Sequence, residues 1–303
     1  MSAIIQVKHL TKDFKEVKAV DDLSFTVEAG QVYGFLGQNG AGKSTTIRLL
    51  LTLIKPTSGE IEIFGMNLQH HRKEILRQVG AIIERPDLYK YLTALENLRI
   101  FAAMSGVKIS EKKLLDQLAM VGLAERARSK VKTYSQGMRQ RLGIATALAH
   151  DPQLIILDEP TNGLDPQGIA DVRNLVIHLS KEKNKTLFIS SHLLNEMEFI
   201  ADSMLIIDRG KKVAEGNKEE LLNPASIQVE LVTDNKEVSI QRIKETKWGS
   251  FLVSNGHGNI LLGINKNLIP ELNRTLVEKN INVISLRPKH SLEDFFLSLT
   301  AHS

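Results

Sequence analysis

One octapeptide constrains this chain more than any other: Gly37-Gln38-Asn39-Gly40-Ala41-Gly42-Lys43-Ser44 fits the pattern G-x-x-x-x-G-K-[ST]. It follows the apolar run VYGFL, a predicted strand, and opens STTIRLLLTLI, a predicted helix, which is the setting that pattern requires. Three glycines let backbone N–H groups turn inward around phosphate oxygens, and the helix start adds its partial positive charge. Lys43 is then placed to reach the β- and γ-phosphates of a nucleotide, and the Ser44 hydroxyl to ligate Mg2+. The alternative is a plain glycine turn, and the complete strand, loop and helix sequence argues against it.

A second motif supplies carboxylates. LIILDEP, residues 154–160, reads as a buried strand ending in two adjacent acids. Strand alternation sends neighbouring side chains to opposite sides, so Asp158 and Glu159 are expected to do different jobs. Asp158 would hold Mg2+ through water, and Glu159 would polarise an attacking water as a general base. A third apolar strand, LFISS, ends at His192, which beside the other two would offer a hydrogen bond to the γ-phosphate and to the water.

These motifs sit in a pattern of alternating elements. Residues 1 to about 35 read as strands, 85 to 150 as helical, and 153 to 213 as short strands with the helical DVRNLVIHLSKEK between two of them. TALENLRIFAAMSG puts Leu95, Leu98, Phe101 and Ala102 on one helix face and stops at Gly106. The expected fold class is α/β with a mostly parallel sheet and an inserted helical subdomain. Asn223-Pro224 punctuates the chain after Leu222, giving expected domains of 1–222 and 223–303. The second reads as a small α+β unit: strand IQVELV, hairpin FLVSNGHGNILLGI, helix IPELNRTLVEKN, strand INVISL and helix SLEDFFLSLT. Ile269, Leu272 and Leu276 share one helix face, and Leu292, Phe295 and Leu299 another.

Composition narrows the function classes. The absence of cysteine excludes a disulfide framework and thiolate zinc sites. The balance of 39 basic against 35 acidic residues, +4, is only mildly basic, and both signs mix in KEVKAVDD and SEKKLLDQ. That is a solvated face rather than a nucleic-acid patch. No apolar run approaches a bilayer span, and Lys8, Lys12 and Asp13 interrupt any signal-peptide core in MSAIIQVKHLTKDF. The expectation is a soluble chain; if it works at a membrane, another polypeptide provides the membrane.

GQNGAGKST, LIILDEP, the Gly163-Leu164-Asp165-Pro166 run and the strand-end His192, in this order and spacing, resemble the nucleotide-binding subunit of an ATP-binding-cassette (ABC) transporter over roughly residues 1–220. The resemblance implies a P-loop NTPase fold of the ABC type: a RecA-like core sheet, an antiparallel β subdomain and the inserted helices. It also implies a signature at a helix start ahead of the second acidic strand, and YSQGMRQR, residues 134–141, stands there. Ser135, Gln136 and Gly137 fall where free N–H groups at a helix start form an anion site. Met138, Leu142, Ala145 and Leu148 are expected to bury the other side of that helix. Cradle and signature lie in separate subdomains, so two copies arranged head to tail would each cap the ATP held by the other. The family pattern carries ATP contacts to Gly37, Asn39, Gly40, Gly42, Lys43, Ser44 and Thr45. It puts Asp165 in the loop that touches the partner's site, and Phe14 where an aromatic stacks on adenine. As a strand-end aromatic, Phe14 could equally belong to the core.

Two departures from the family pattern stand out. The usual L-S-G-G-Q signature is here Tyr134 to Met138, Y-S-Q-G-M, which keeps Ser135 and Gly137. Where the family has a glutamine linking Mg2+ to the membrane partner, GAIIERPDLY carries Glu84. A carboxylate is a stronger hard-oxygen ligand for Mg2+. It also repels the γ-phosphate, by roughly 3 kcal/mol at about 5 Å and an effective dielectric near 20. With the small C-terminal domain ending EDFFLSL, these features resemble the branch that exports bacitracin and lantibiotic peptides. The implied cofactors are ATP and Mg2+. The implied partners are a second copy and a separate membrane permease docked around 84–98, at the cytoplasmic face of the membrane, with no nucleic acid. Two alternatives are an ATPase acting on ribosomes or DNA, and an ATP-regulated binding module with little hydrolysis. The single cassette without heptads disfavours the first, and Glu159 disfavours the second.

Overall fold

The computed structural model describes residues 2–222, 227–253 and 259–289. Two long strands, β1 (Ala3–Phe14) and β2 (Val17–Glu28), pair antiparallel from a tight connection at Phe14 and Val17. The short strand β3 (Val32–Leu36) then leads through the glycine loop into α1 (Lys43–Leu50). β4 (Ser58–Ile63) and the two-residue β5 (Met66–Asn67) complete an antiparallel sheet of order β2-β1-β4-β5. After α2 (Arg72–Leu76) and β6 (Val79–Ile82) come three helices, α3 (Ala94–Met104), α4 (Glu111–Met120) and α5 (Gln136–Ala147). The chain then alternates: β7 (Leu154–Asp158), α6 (Pro166–Lys181), β8 (Thr186–Ser191), α7 (Leu194–Ile200), β9 (Ser203–Asp208) and β10 (Lys211–Asn217).

The central sheet has the order β10-β9-β3-β8-β7-β6, with β10 antiparallel and the other five parallel. Every residue of β3, β7 and β8 is buried, as strands covered on both faces must be, which is why they read as unbroken apolar runs. Phe25 of β2 packs its ring against Tyr33, Phe35 and Phe188 at ring separations of 5.8 to 6.0 Å, tying the antiparallel sheet to the central one. Ile47, Leu49 and Leu50 of α1 join the same cluster. Full burial of each such side chain contributes about 2 kcal/mol. Because β3, β8 and β7 are neighbours, the loops at their carboxyl ends converge, the usual place for a ligand in a parallel sheet.

The helical insertion begins at Ala94; residues 85–93 carry no helix. Thr93 and Glu96 form a reciprocal capping box at the start of α3. Asn97, fully buried, accepts from the Tyr89 N–H and donates to the carbonyls of Tyr89 and Thr93, pinning the preceding loop. Leu95, Leu98 and Ala102 are buried as expected, whereas Phe101 is only half-buried, against Tyr89. The helix stops at Ser105, with Gly106 at φ 77°.

The chain divides into two compact units, Met1–Asn217 and Lys218–Ser303. The division falls five residues ahead of the boundary expected at 222/223. The second unit contains α8 (Lys218–Leu222), β11 (Ile227–Thr233), α9 (Lys236–Lys244), β12 (Ile260–Ile264), α10 (Ile269–Glu278) and β13 (Val283–Lys289). β11 lies between β12 and β13, antiparallel to both. Trp248, Val229, Leu231, Leu262, Leu272 and Leu276 form its core, so the face of α10 expected to be apolar does pack inward. The Asn223-Pro224 break, the hairpin tip at 254–258 and the last helix with Leu292, Phe295 and Leu299 lie outside the described residues.

Candidate active site

The cradle is built by backbone restrictions that only glycine meets. At Gly37 a Cβ would come within 2.5 Å of the Ile207 carbonyl oxygen. At Gly42, with φ 106°, it would lie 2.4 Å from the Ala19 oxygen. Gly42 is the N-cap of α1 and supplies no side-chain acceptor, so the first-turn N–H groups stay available to an anion. The cradle opens on a cleft of about 360 Å³. Val17, Lys18 and Ala19 form one wall, Asn39, Gly40, Lys43, Ser44 and Thr45 are on the cradle side, and Glu159 and Arg209 complete it.

Lys43 is buried and fully engaged. Its Nζ donates to the carbonyls of Gly37 and Gln38 at 2.7 and 3.2 Å and lies 3.1 Å from Glu159 Oε1. The other carboxylate oxygen of Glu159 is 2.6 Å from His192 Nδ1. The structure therefore joins Lys43, Glu159 and His192 in one chain of contacts at the ends of β3, β7 and β8.

Asp158 and Glu159 do differ in environment, but strand alternation is not the whole cause. Asp158 is the last residue of β7 and 1% exposed, whereas the backbone turns left-handed at Glu159, φ 48°. The Glu159 N–H donates to the Ser190 carbonyl and hydroxyl oxygens at 3.2 and 3.0 Å, which holds that turn. Asp158 Oδ1 accepts the Ser190 hydroxyl at 2.5 Å, and Oδ2 is buried without a hydrogen-bond partner among the described residues. An orphaned buried carboxylate oxygen is costly unless something completes it. Mg2+ fits: the Ser44 hydroxyl and Asp158 are hard oxygen donors, and Mg2+ is usually held by one or two carboxylates plus substrate phosphates.

The remaining expected residues fall outside the cleft wall. Phe14, at the end of β1, is 46% exposed with Lys12 Nζ 4.9 Å above its ring, so it is not a core residue. Glu84, at φ 59°, gives its carboxylate to Arg48 of α1 at 2.6 Å. Ser135 is the exposed N-cap of α5 and accepts the Met138 N–H at 3.2 Å. Gln136 donates to the Asn162 carbonyl at 3.4 Å, and a Cβ on Gly137 would lie 3.9 Å from the Gly168 Cα. Asp165 caps α6 by accepting the Gly168 N–H at 3.0 Å. Signature and Asp165 loop thus form one exposed surface, separate from the cleft. Leu142, Ala145 and Leu148 are buried behind it, but Met138 is only half-buried, because it lies in the first turn beside the exposed cap. Tyr134 is structural: its hydroxyl donates to the Arg126 carbonyl at 2.6 Å, and burial pushes its phenol up.

Sequence reasoning missed Val17, Lys18, Ala19, Ser190 and Arg209. Arg209-Gly210 is legible as a turn, but nothing local places that turn beside the cradle.

A family model described as ABC transporter matches residues 20–162. The chain is 45% identical to the bacitracin transport ATP-binding protein BcrA of Bacillus licheniformis, over 99% of this chain and 98% of that protein. It is 41% identical to the lantibiotic transport ATP-binding protein SrtF of Streptococcus pyogenes, over 73% of this chain and 96% of that one. Among solved structures, an ATP-binding subunit of an ABC transporter superposes with a TM-score of 0.64 at 33% identity, covering 72% of this chain and 91% of that one. A dimeric post-hydrolysis state of the ATP-binding cassette MJ0796, bound to ADP and Pi, superposes with a TM-score of 0.63 at 27% identity, covering 71% and 98%.

Proposed function

The chain belongs to the ATP-binding subunits of ABC transporters and is an ATP hydrolase of that family, and from that premise we propose that it works as the motor of an exporter. Two copies bind Mg-ATP head to tail and drive a separate membrane permease that exports a peptide antibiotic or similar amphipathic compound. The names of BcrA and SrtF support that cargo class. No described helix is long and apolar enough to cross a membrane, which suits a subunit held at the cytoplasmic face through its permease.

One observation carries the reading: Lys43, Glu159 and His192 meet at the cleft, while Ser135–Gly137 and Asp165 form a different, exposed surface of the same chain. Each half is incomplete for holding and cleaving a triphosphate. In the proposed mechanism Lys43 exchanges Glu159 for the β- and γ-phosphates, and the cradle amides of Gly37, Asn39, Gly40 and Gly42 with Ser44 and Thr45 wrap the rest. Glu159, released, orients and deprotonates the attacking water, and His192 bonds the γ-phosphate. Phe14 stacks on adenine. Ser44 and Asp158 would hold Mg2+, with Glu84 as a third ligand, and the bound ion would supply charge neutralisation at the phosphates. Ser135, Gln136 and Gly137 of the partner cap the γ-phosphate, and Asp165 reaches across beside them.

Replacing Glu159 with glutamine tests this. ATP binding should persist, turnover should fall by at least about 10²-fold, and the variant should dimerise when ATP is added. Wild-type turnover in that variant would exclude the base assignment.

A further inference from the structure

We propose that Arg209 is an additional nucleotide-binding residue, whose guanidinium grips the part of the nucleotide that hydrolysis leaves behind, the α-phosphate and ribose. The inference rests on the nucleotide site proposed above and deepens it.

The tip of the β9–β10 hairpin is not free in solvent. Arg209 and Gly210 are both left-handed, φ 46° and 80°, as a two-residue hairpin turn requires. Gly210 donates its N–H to the Ala41 carbonyl of the cradle and accepts the Asp21 N–H of β2, each at 2.9 Å. A Cβ there would lie 2.9 Å from the Ala19 oxygen, so the turn is wedged between cradle and β2. The backbone of Arg209 is thereby fixed to the phosphate loop by bonds independent of any ligand.

Its side chain has the opposite character. It lines the cleft yet is 80% exposed, and its ion-pair partner among the described residues is the adjacent Asp208, at 3.9 Å. The neighbouring cations are committed more closely: Lys18 to Asp21 at 3.0 Å, and Lys212 to Glu215 and the Ser24 carbonyl at 2.8 Å. A loosely held guanidinium on a fixed backbone, at the edge of a cleft built for phosphate, is free to offer the fork that Arg uses on phosphate oxygens.

The position within the cleft selects the end of the nucleotide. Glu159, paired with Lys43, marks the γ end, and exposed Phe14 and Val17 mark the base end. Arg209 is anchored through Ala41 of the cradle and Asp21 of β2, the strand whose Val17 lines the cleft. A contact there serves ATP and ADP alike.

The test measures ATP and ADP affinity of the full chain by calorimetry for wild type, Arg209→Asn, Arg209→Lys and Lys43→Ala. Asparagine tolerates the left-handed turn, so a matching melting curve shows that the hairpin is kept. Arg209→Asn should weaken both nucleotides by a similar factor of about ten, and Arg209→Lys by less. Unchanged affinity in Arg209→Asn, with affinity lost in Lys43→Ala, overturns the proposal and leaves the site standing. Loss for ATP alone also overturns it, because the contact would then be to the γ-phosphate. Unchanged affinity in Lys43→Ala as well would overturn the nucleotide site itself.

Discussion

Glu159 Oε2 lies 2.6 Å from His192 Nδ1 and also accepts the His192 backbone N–H at 3.3 Å. One carboxylate oxygen thus orients both the ring and the chain of a residue 33 positions away. A carboxylate on Nδ1 fixes the orientation of the ring and so sets where Nε2 points. Replacing His192 with alanine should therefore slow single-turnover hydrolysis roughly 10²-fold while changing ATP affinity less than about threefold. Hydrolysis within twofold of wild type would remove His192 from the mechanism.

The Arg48–Glu84 pair leads to a second expectation. Its side chains are 42% and 63% exposed, so the pair contributes at most about 1 kcal/mol to folding. Its consequence is competition, since the carboxylate that Arg48 holds at 2.6 Å is the one proposed to meet Mg2+. Arg48→Ala should leave denaturant stability within about 1 kcal/mol and lower the Mg2+ concentration needed for half-maximal ATP binding, by about threefold. An unchanged or higher Mg2+ requirement would mean that Glu84 does not ligate the ion.

His150 makes stability depend on pH. Its Nε2 lies 3.2 Å from the Val79 carbonyl, while Nδ1 is buried without a hydrogen-bond partner among the described residues. Burial holds its pKa below the ordinary value, and the Val79 bond offsets this only in part. The folded chain therefore keeps the ring neutral where the unfolded chain takes up a proton. The contribution is fully present above the ordinary histidine pKa of about 6.5 and is lost as pH falls from there toward the depressed folded value. Melting curves between pH 7.5 and 5 check this in His150→Gln, which keeps a donor to Val79 but does not titrate. The variant should lose less stability on acidification than wild type; identical slopes would contradict the assignment.

The site's legibility followed from how locally each part is encoded. Gly37–Ser44 and Asp158-Glu159 stand at the ends of buried strands, whose continuous apolar runs make the following polar residues conspicuous. The left-handed turn at Glu159 was not legible, because it depends on bonds to Ser190, 31 positions away. The Val17–Ala19 wall and Arg209 come together through the Asp21–Gly210 and Gly210–Ala41 backbone bonds, which no local pattern encodes. Helix α9, KEVSIQRIK, was missed because its core contacts are few: Ser239 and Ile243 are buried and Ile240 packs at the edge, with no wide apolar stripe.

The central claim is that each ATP site takes its cradle from one copy and its signature from the other. It is tested most directly by mixing two inactive variants, Lys43→Ala and Gly137→Glu; the second adds a charge where a Cβ meets nothing closer than 3.9 Å. In a mixed dimer one cradle and one signature remain intact, and they face each other only if the site is shared. With random pairing in an equal mixture, ATPase activity should return to about a quarter of wild type. A mixture no more active than either variant alone would contradict the shared site.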